Sequence, residues 1–155
     1  ARLWRYTMYL KTGEAREECL NGDYNVEFPG YDSAKTGRYT QWAYLIDHDP
    51  KILRWTGIRK MNTDTGESVG EWSDDHDHCW YSEPWFAPAD NQASEDHGYV
   101  IAFCWNDKTR VQQLQIFDAQ KVSDGPVTRI QLPRRIPPGF HACWMKPKQV
   151  ENWER

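Results

Sequence analysis

Helical patterning is nearly missing from this sequence. No stretch keeps apolar residues at i, i+3, i+4 and i+7 for three turns between capping signals, which argues against a helical bundle. Long apolar runs are missing too, the longest being a handful of residues against the roughly 20 that a spanning helix needs. Nothing at the N-terminus resembles a signal peptide. There is no Lys/Arg cluster, and the formal net charge is −4, so a nucleic-acid partner has no electrostatic support. The four cysteines, Cys19, Cys79, Cys104 and Cys143, include no Cys-x-x-Cys pair. Their even number permits two disulfides, but the spacing is not that of a disulfide scaffold and favours reduced thiols in an intracellular, cytoplasmic protein. No Gly-x-Ser-x-Gly, no cysteine beside a histidine base and no glycine-rich phosphate loop occurs, so nucleophilic and nucleotide chemistry lack a motif. Carboxylates are plentiful, but no spacing singles out two of them for sugar hydrolysis.

What is present points to strands. The chain has 155 residues, enough for one domain or a piece of a larger one. Hydrophobic residues make up 39% and aromatics 14%, with nine Trp and eight Tyr, while mean hydropathy is −0.90. Large rings bury much area each and favour strands, so a β-rich, water-soluble domain is expected. The first residue is Ala1 rather than methionine, and we expect the chain to begin inside a longer one.

Short apolar or aromatic runs recur between Gly, Asp, Asn and Pro turns. They predict strands over Leu3–Leu10, Arg16–Leu20, Tyr39–Ile46, Trp55–Met61, Ser68–Trp72, Tyr99–Trp105, Val111–Phe117, Val127–Leu132 and Phe140–Met145. Ser73–Ser82 and Pro88–Asp96 read as loops, and Pro147–Arg155 as an exposed tail. The turn Lys11-Thr12-Gly13-Glu14 returns as Asp64-Thr65-Gly66-Glu67, a step of roughly 53 residues, with a weaker third copy at Phe117-Asp118-Ala119 … Asp124-Gly125. Repeats in this range, each holding several short antiparallel strands, fit a β-propeller whose blades stack about an axis. A β-sandwich with Thr-Gly hairpins is the other reading.

Five histidines are candidates for chemistry. In Asp74-Asp75-His76-Asp77-His78, two imidazoles two residues apart would share a strand face and could bind a surface metal; a solvated acidic loop explains the same residues. His48 and His97 sit in polar turns by composition. His141 opens an apolar stretch directly after Pro137-Pro138-Gly139, so its ring is expected to face inward and to need a hydrogen-bond partner or a metal. Glu27, before Phe28-Pro29, and Glu83, before Pro84-Trp85-Phe86, are carboxylates at aromatic–proline corners. Such a group requires a partner, either backbone N–H groups or the outer nitrogen of a metal-bound imidazole.

Several segments, in order, resemble the carotenoid cleavage oxygenase family, which includes carotenoid and lignostilbene dioxygenases and a retinoid isomerase. They are Val26-Glu27-Phe28-Pro29, Gly37-Arg38-Tyr39 with Tyr44, Thr56-Gly57-Ile58-Arg59-Lys60, Ser82-Glu83-Pro84-Trp85-Phe86-Ala87-Pro88 and Glu95-Asp96-His97-Gly98-Tyr99-Val100. Phe117-Asp118-Ala119, Pro126-Val127, Leu132-Pro133-Arg134-Arg135-Ile136-Pro137 and Gly139-Phe140-His141-Ala142 follow. The resemblance implies an all-β fold, the last blades of a seven-bladed β-propeller, with residues 1–146 in the propeller and 147–155 as a tail. It implies Fe(II) held by four histidines, of which His141 is the last, with Glu27 and Glu83 among three glutamates that hold those histidines from behind.

The implied activity is oxidative cleavage of a conjugated C=C bond of a carotenoid, apocarotenoid or stilbene-type substrate by O2 to two carbonyl products. Isomerisation also occurs in the family. Trp85, Phe86 and Phe140 lie beside the matching residues and are expected to line an apolar passage, although ordinary core packing would use them equally well. The other three iron histidines and the third glutamate have no counterpart here, so the remainder of the propeller is an implied partner, and peripheral membrane contact is left open. Ala89 stands where the family has arginine, Pro138 where it has an aromatic, and His97 where it has aspartate. A non-catalytic Trp-rich β-module binding sugars or hydrophobic ligands is the alternative from another class.

Overall fold

Runs of β-branched and aromatic residues between Gly, Asp and Asn turns produce eleven strands in the computed structural model, which describes residues 1–137 and 141–153. β1 (Leu3–Tyr9) and β2 (Glu14–Asn21) form a hairpin. β3 (Val26–Gly30), β4 (Trp42–Asp49), β5 (Arg54–Asn62) and β6 (Ser68–Trp72) form an antiparallel meander in sequence order. A second sheet holds β7 (Cys79–Tyr81), β8 (Trp85–Pro88), β9 (Gly98–Asn106), β10 (Val111–Asp118) and β11 (Pro126–Gln131) in the order β11-β10-β9. β7 and β8 both pair with β9, one after the other along its length, and so act as one interrupted edge strand.

The two sheets pack face to face. Alternation along β9 sends Val100, Ala102 and Cys104 to one side, where they meet Tyr44, Ile46 and Ile58 of the first sheet and Phe117 of β10. Each large side chain fully buried there is worth roughly 1.5–3 kcal/mol. A smaller cluster of Val26, Ala43, Leu45 and Met61 occupies the other face of the first sheet, covered by Leu3 and Tyr24. Polar groups also join the sheets. Glu95, in the loop before β9, accepts the backbone N–H groups of Gln41 and Trp42 at 2.7 and 2.9 Å and pairs with Lys35 at 3.0 Å. Its neighbour Asp96 pairs with the buried Lys60 of β5 at 2.7 Å.

The repeated Thr-Gly turn is structural. Gly13 and Gly66 have φ of +78° and +73°, and each N–H bonds the carbonyl four residues back, to Tyr9 and Asn62, at 2.8 Å. The third copy lies elsewhere than expected. Asp118–Gly125 bridges β10 and β11 through a short 3-10 turn, whereas the matching hairpin is Asn106–Arg110, with Arg110 at φ 62° and its N–H on Asn106 O at 2.9 Å. The composition hid it because an arginine occupies the left-handed position.

Other expectations are corrected. The strand expected over Tyr39–Ile46 runs over Trp42–Asp49, because Glu95 holds residues 41 and 42 at its start, and His48 therefore lies on β4 rather than in a turn. The loop Ser73–Ser82 contains β7. Residues 141–146 form no strand; nearby backbone groups bond side chains instead, Ile136 N–H to Gln112 Oε1 at 3.2 Å and Ala142 N–H to Glu83 Oε2 at 3.0 Å. The segment expected as a tail carries a short helix, α1 (Pro147–Trp153), whose proline suits a first helical position. No described helix is long and apolar enough to cross a membrane.

Candidate metal centre

Glu27 and Glu83 both sit where proline disrupts an edge strand. Along β3, Glu27 pairs with Ile46 but Gly30 pairs with Tyr44, so one extra residue bulges out of the ladder. Phe28 carries the bulge at φ 51°, a left-handed conformation costly for a bulky residue. Pro29 lacks the N–H that a regular ladder would need, which bulges tolerate. Glu83 occupies the break between β7 and β8, where Ser82 Oγ accepts the Phe103 N–H at 2.9 Å in place of a strand bond. The two corners meet: a Cβ on Gly30 would stand 2.4 Å from the Pro84 carbonyl oxygen, so only glycine permits this approach.

His141 lies against these corners. Its Nδ1 is 3.5 Å from Glu83 Oε2, and its ring meets Phe28 edge-on with centroids 5.3 Å apart. Phe28 in turn packs on Trp55 at 5.7 Å, and Trp55 Nε1 donates to Glu27 Oε2 at 3.1 Å. The structure thus brings His141, Glu83 and Phe28 together, with Glu27 reached through Trp55. The ring is not buried as expected: its side chain is 73% exposed, because the segment carrying it crosses the open face of the second sheet. One side rests on Phe28 and Glu83, and the remainder faces outward.

Of the aromatics expected to line a passage, Trp85 borders a groove of about 440 Å³ that His141 also borders, along with Trp55, Trp80, Phe103 and Trp105. Phe86 is instead a core residue, 4% exposed and stacked on Tyr44 at 5.6 Å, because alternation on β8 turns it away from Trp85. Phe140 lies outside the described residues. Burial pushes the Tyr44 hydroxyl well above its ordinary pKa, and nearby Asp96 and Glu95 add to this.

The remaining histidines have local partners. His48 Nδ1 faces Asn25 Nδ2 at 2.8 Å, and His97 Nδ1 accepts the Ala93 N–H at 3.0 Å. His78 Nδ1 lies 3.0 Å from Asp75 Oδ1, and this bond holds the Asp75 carboxyl below its ordinary range. His76 and His78 lie off the strands and join no group of three metal donors among the described residues. Sequence reasoning missed Trp55, Phe28 and Gly30. Glu-Phe-Pro-Gly hints at an irregular strand, but a left-handed phenylalanine has no compositional signal.

A carboxylate behind an imidazole is an arrangement that metal-binding histidines commonly have, and comparison with known proteins shows the family in which this one occurs. The family model described as Retinal pigment epithelial membrane protein (RPE65) matches residues 1–146. Carotenoid 9,10(9',10')-cleavage dioxygenase 1 of Pisum sativum is 29% identical over 97% of this chain and 30% of its own length. The crystal structure of Pseudomonas brassicacearum lignostilbene dioxygenase aligns with a TM-score of 0.80 at 26% identity, covering 92% of this chain and 32% of that one. Cobalt-substituted Synechocystis ACO aligns at 0.81 and 22% identity, covering 90% and 29%. The chain therefore spans less than a third of the length of these relatives. Its two sheets are part of the β-propeller that those structures share, and the chain belongs to the family of retinal pigment epithelial membrane protein and the carotenoid cleavage dioxygenases.

Proposed function

We propose that this chain contributes one imidazole ligand, His141, to an Fe(II) centre in an oxygenase that splits a conjugated C=C bond of a carotenoid, apocarotenoid or stilbene-type substrate into two carbonyl products. The observation that carries the reading is the placement of His141 Nδ1 at 3.5 Å from Glu83 Oε2. A carboxylate there favours the tautomer with the proton on Nδ1, which leaves Nε2 as the lone-pair donor and raises its basicity. Glu83 is itself held by the Ala142 N–H at 3.0 Å, so acid and imidazole are tied to the same segment. The donor chemistry fits iron, for which imidazole is a suitable ligand. Iron, when bound, supplies the redox chemistry that activates O2 towards the alkene.

The chain's own residues do the positioning. Phe28, fixed by its bulge, keeps the imidazole plane upright through edge-on contact. Trp85 offers apolar surface along the groove that His141 shares, suited to a long conjugated substrate. Glu27, held at its corner by Trp55, is the second carboxylate we assign to steadying a ligand histidine. Histidines from the rest of the ring would complete the metal's sphere.

The test uses the full-length protein. His141→Ala is expected to abolish iron retention and O2-dependent cleavage, and Glu83→Gln to weaken iron binding by about 10–100-fold, the usual effect of losing such an outer partner. Full iron occupancy in His141→Ala, measured by elemental analysis, would falsify the assignment. Stoichiometric binding of an apolar ligand to iron-free protein, with no alkene cleavage by the iron-loaded form, would favour a Trp-lined binding module instead.

A further inference from the structure

At the far end of β9 from Gly98 lies a second group of donors. Cys79 on β7 and Cys104 on β9 stand two residues out of register across the ladder and so lie diagonally on one face, Cys79 opposite Asn106 and Tyr81 opposite Cys104. Both thiols are buried, at 2% and 3% exposure. Asp74, in the loop after β6, brings a carboxylate to them, and the three donor atoms lie within 4.8 Å of one another. The cysteines form no disulfide. An opening of about 330 Å³ reaches the group, bordered by Asn106, Thr109, Gln113 and Arg129.

Two sulfurs and a carboxylate oxygen are the donor types that zinc takes in four-coordinate sites, and thiolate selects such borderline-soft ions over Mg²⁺ or Ca²⁺. The surroundings resemble a supporting shell. Gln115 Nε2 donates to Asp74 Oδ2 and Arg129 to Asp74 Oδ1, each at 2.5 Å, and the Asp74 N–H bonds Tyr81 Oη at 3.1 Å. Asn106 Nδ2 donates to Cys79 Sγ at 3.4 Å. A carboxylate oxygen so bonded keeps a lone pair for an ion, as ligating carboxylates commonly do. Charge also balances: two thiolates and one carboxylate, against a divalent ion and the Arg129 guanidinium, sum to zero. One buried atom remains unexplained by the protein alone. Gln115 is 0% exposed, yet its Oε1 has no hydrogen-bond partner among the described residues. A water completing the ion's fourth position would supply the missing donor.

We infer that Asp74, Cys79 and Cys104 form a binding site for a thiophilic divalent ion of the zinc type, with water as fourth ligand. The site uses none of the residues assigned to iron and stands or falls independently of that reading.

The experiment is titration of Co²⁺ into the reduced full-length protein, followed by displacement with Zn²⁺. Thiolate-to-cobalt charge-transfer absorption in the near ultraviolet is expected to saturate at one equivalent, a signal that histidine nitrogen does not produce. Cys79→Ser and Cys104→Ser are expected to remove it. Asp74→Asn keeps both sulfurs and is expected to weaken Co²⁺ binding by more than the ~10–100-fold typical of an outer partner; its partly exposed loop position makes it the deciding variant if the serine variants fail to fold. Absence of the band overturns the inference. So does a band that survives both serine variants, which would place the ion on other cysteines, and so does unchanged affinity in Asp74→Asn. Spontaneous loss of both thiols to a Cys79–Cys104 disulfide in air, seen as a two-dalton mass decrease in metal-saturated protein, overturns it as well.

Discussion

At the scale of single residues, one glycine decides how the two corners beside His141 meet. Gly30 lets β3 touch the Glu83-Pro84 corner, and a methyl group there would collide with backbone that has no room to yield. Gly30→Ala is expected to cost about 1–3 kcal/mol and to lower iron retention in the intact protein, whereas Gly22→Ala, with nothing within 4 Å of its added methyl, changes neither. Urea unfolding and metal analysis on the pair check this. Asp96 is the clearest pH-sensitive group. Burial alone would raise its pKa, but bonds from Lys60, Ser94 and Gln120 outweigh burial and hold it below the ordinary carboxyl value. A depressed carboxyl contributes stability that is complete above its unfolded value and lost as pH falls through the folded one. The urea midpoint should therefore drop on acidification below about pH 4, and Asp96→Asn should lose that part of the acid dependence. The variant should also cost about 3–5 kcal/mol at neutral pH, because it strands the buried Lys60 ammonium. A small neutral-pH cost would mean that the Trp42 ring, 4.4 Å from Lys60 Nζ, satisfies the cation by itself.

At the scale of elements, the hairpins share one turn geometry but differ in what the turn touches. Gly13 meets open space, while a Cβ on Gly66 would fall 1.8 Å from the Leu20 carbonyl oxygen. Gly66 is where the β1–β2 hairpin docks on the first sheet, through Asn21 Nδ2 to Gly66 O at 2.7 Å and the Arg5 guanidinium to Thr63 O. Gly66→Ala is expected to free that hairpin, which buries little apolar surface of its own. Amide exchange in β1 and β2 should accelerate by at least about tenfold while β4, β5 and β9 keep their protection. Uniform acceleration throughout would show that the hairpin is integral to the fold. Gly13→Ala, equally left-handed, should pay only local backbone strain of about 1 kcal/mol.

At the scale of the whole molecule, stability rests between the sheets. Phe117 is 0% exposed and joins residues of both sheets in one cluster, so Phe117→Ala should cost about 3–5 kcal/mol and shift every unfolding probe together. The other face of the second sheet is apolar as well, with Trp80, Trp85, Phe103 and Trp105 only half-buried. Residues 135–137 and 141–142 cover it partly and leave the groove beside His141. A sheet with two apolar faces needs a neighbour on each. The 155-residue chain alone should bind a hydrophobic-surface dye strongly, and full-length protein should not; equal dye fluorescence from both would assign this face to something other than the ring.

Alternation and turn residues were enough to determine most strands, the recurring Thr-Gly hairpin and the all-β class, because these follow from local backbone preference and a period of two. The corner glutamates and His141 stood out for the same local reason: proline beside a carboxylate, and a histidine after a rigid turn. Tertiary structure decided what local signals cannot carry. It set the shift of β4 through Glu95 across the inter-sheet gap, the burial of Phe86 against Tyr44, and the left-handed Phe28 that braces the imidazole. It alone brought Asp74 to two cysteines 25 residues apart on neighbouring strands. Such groupings depend on which strands become neighbours, and that is settled by long-range packing of the two sheets rather than by any stretch of sequence.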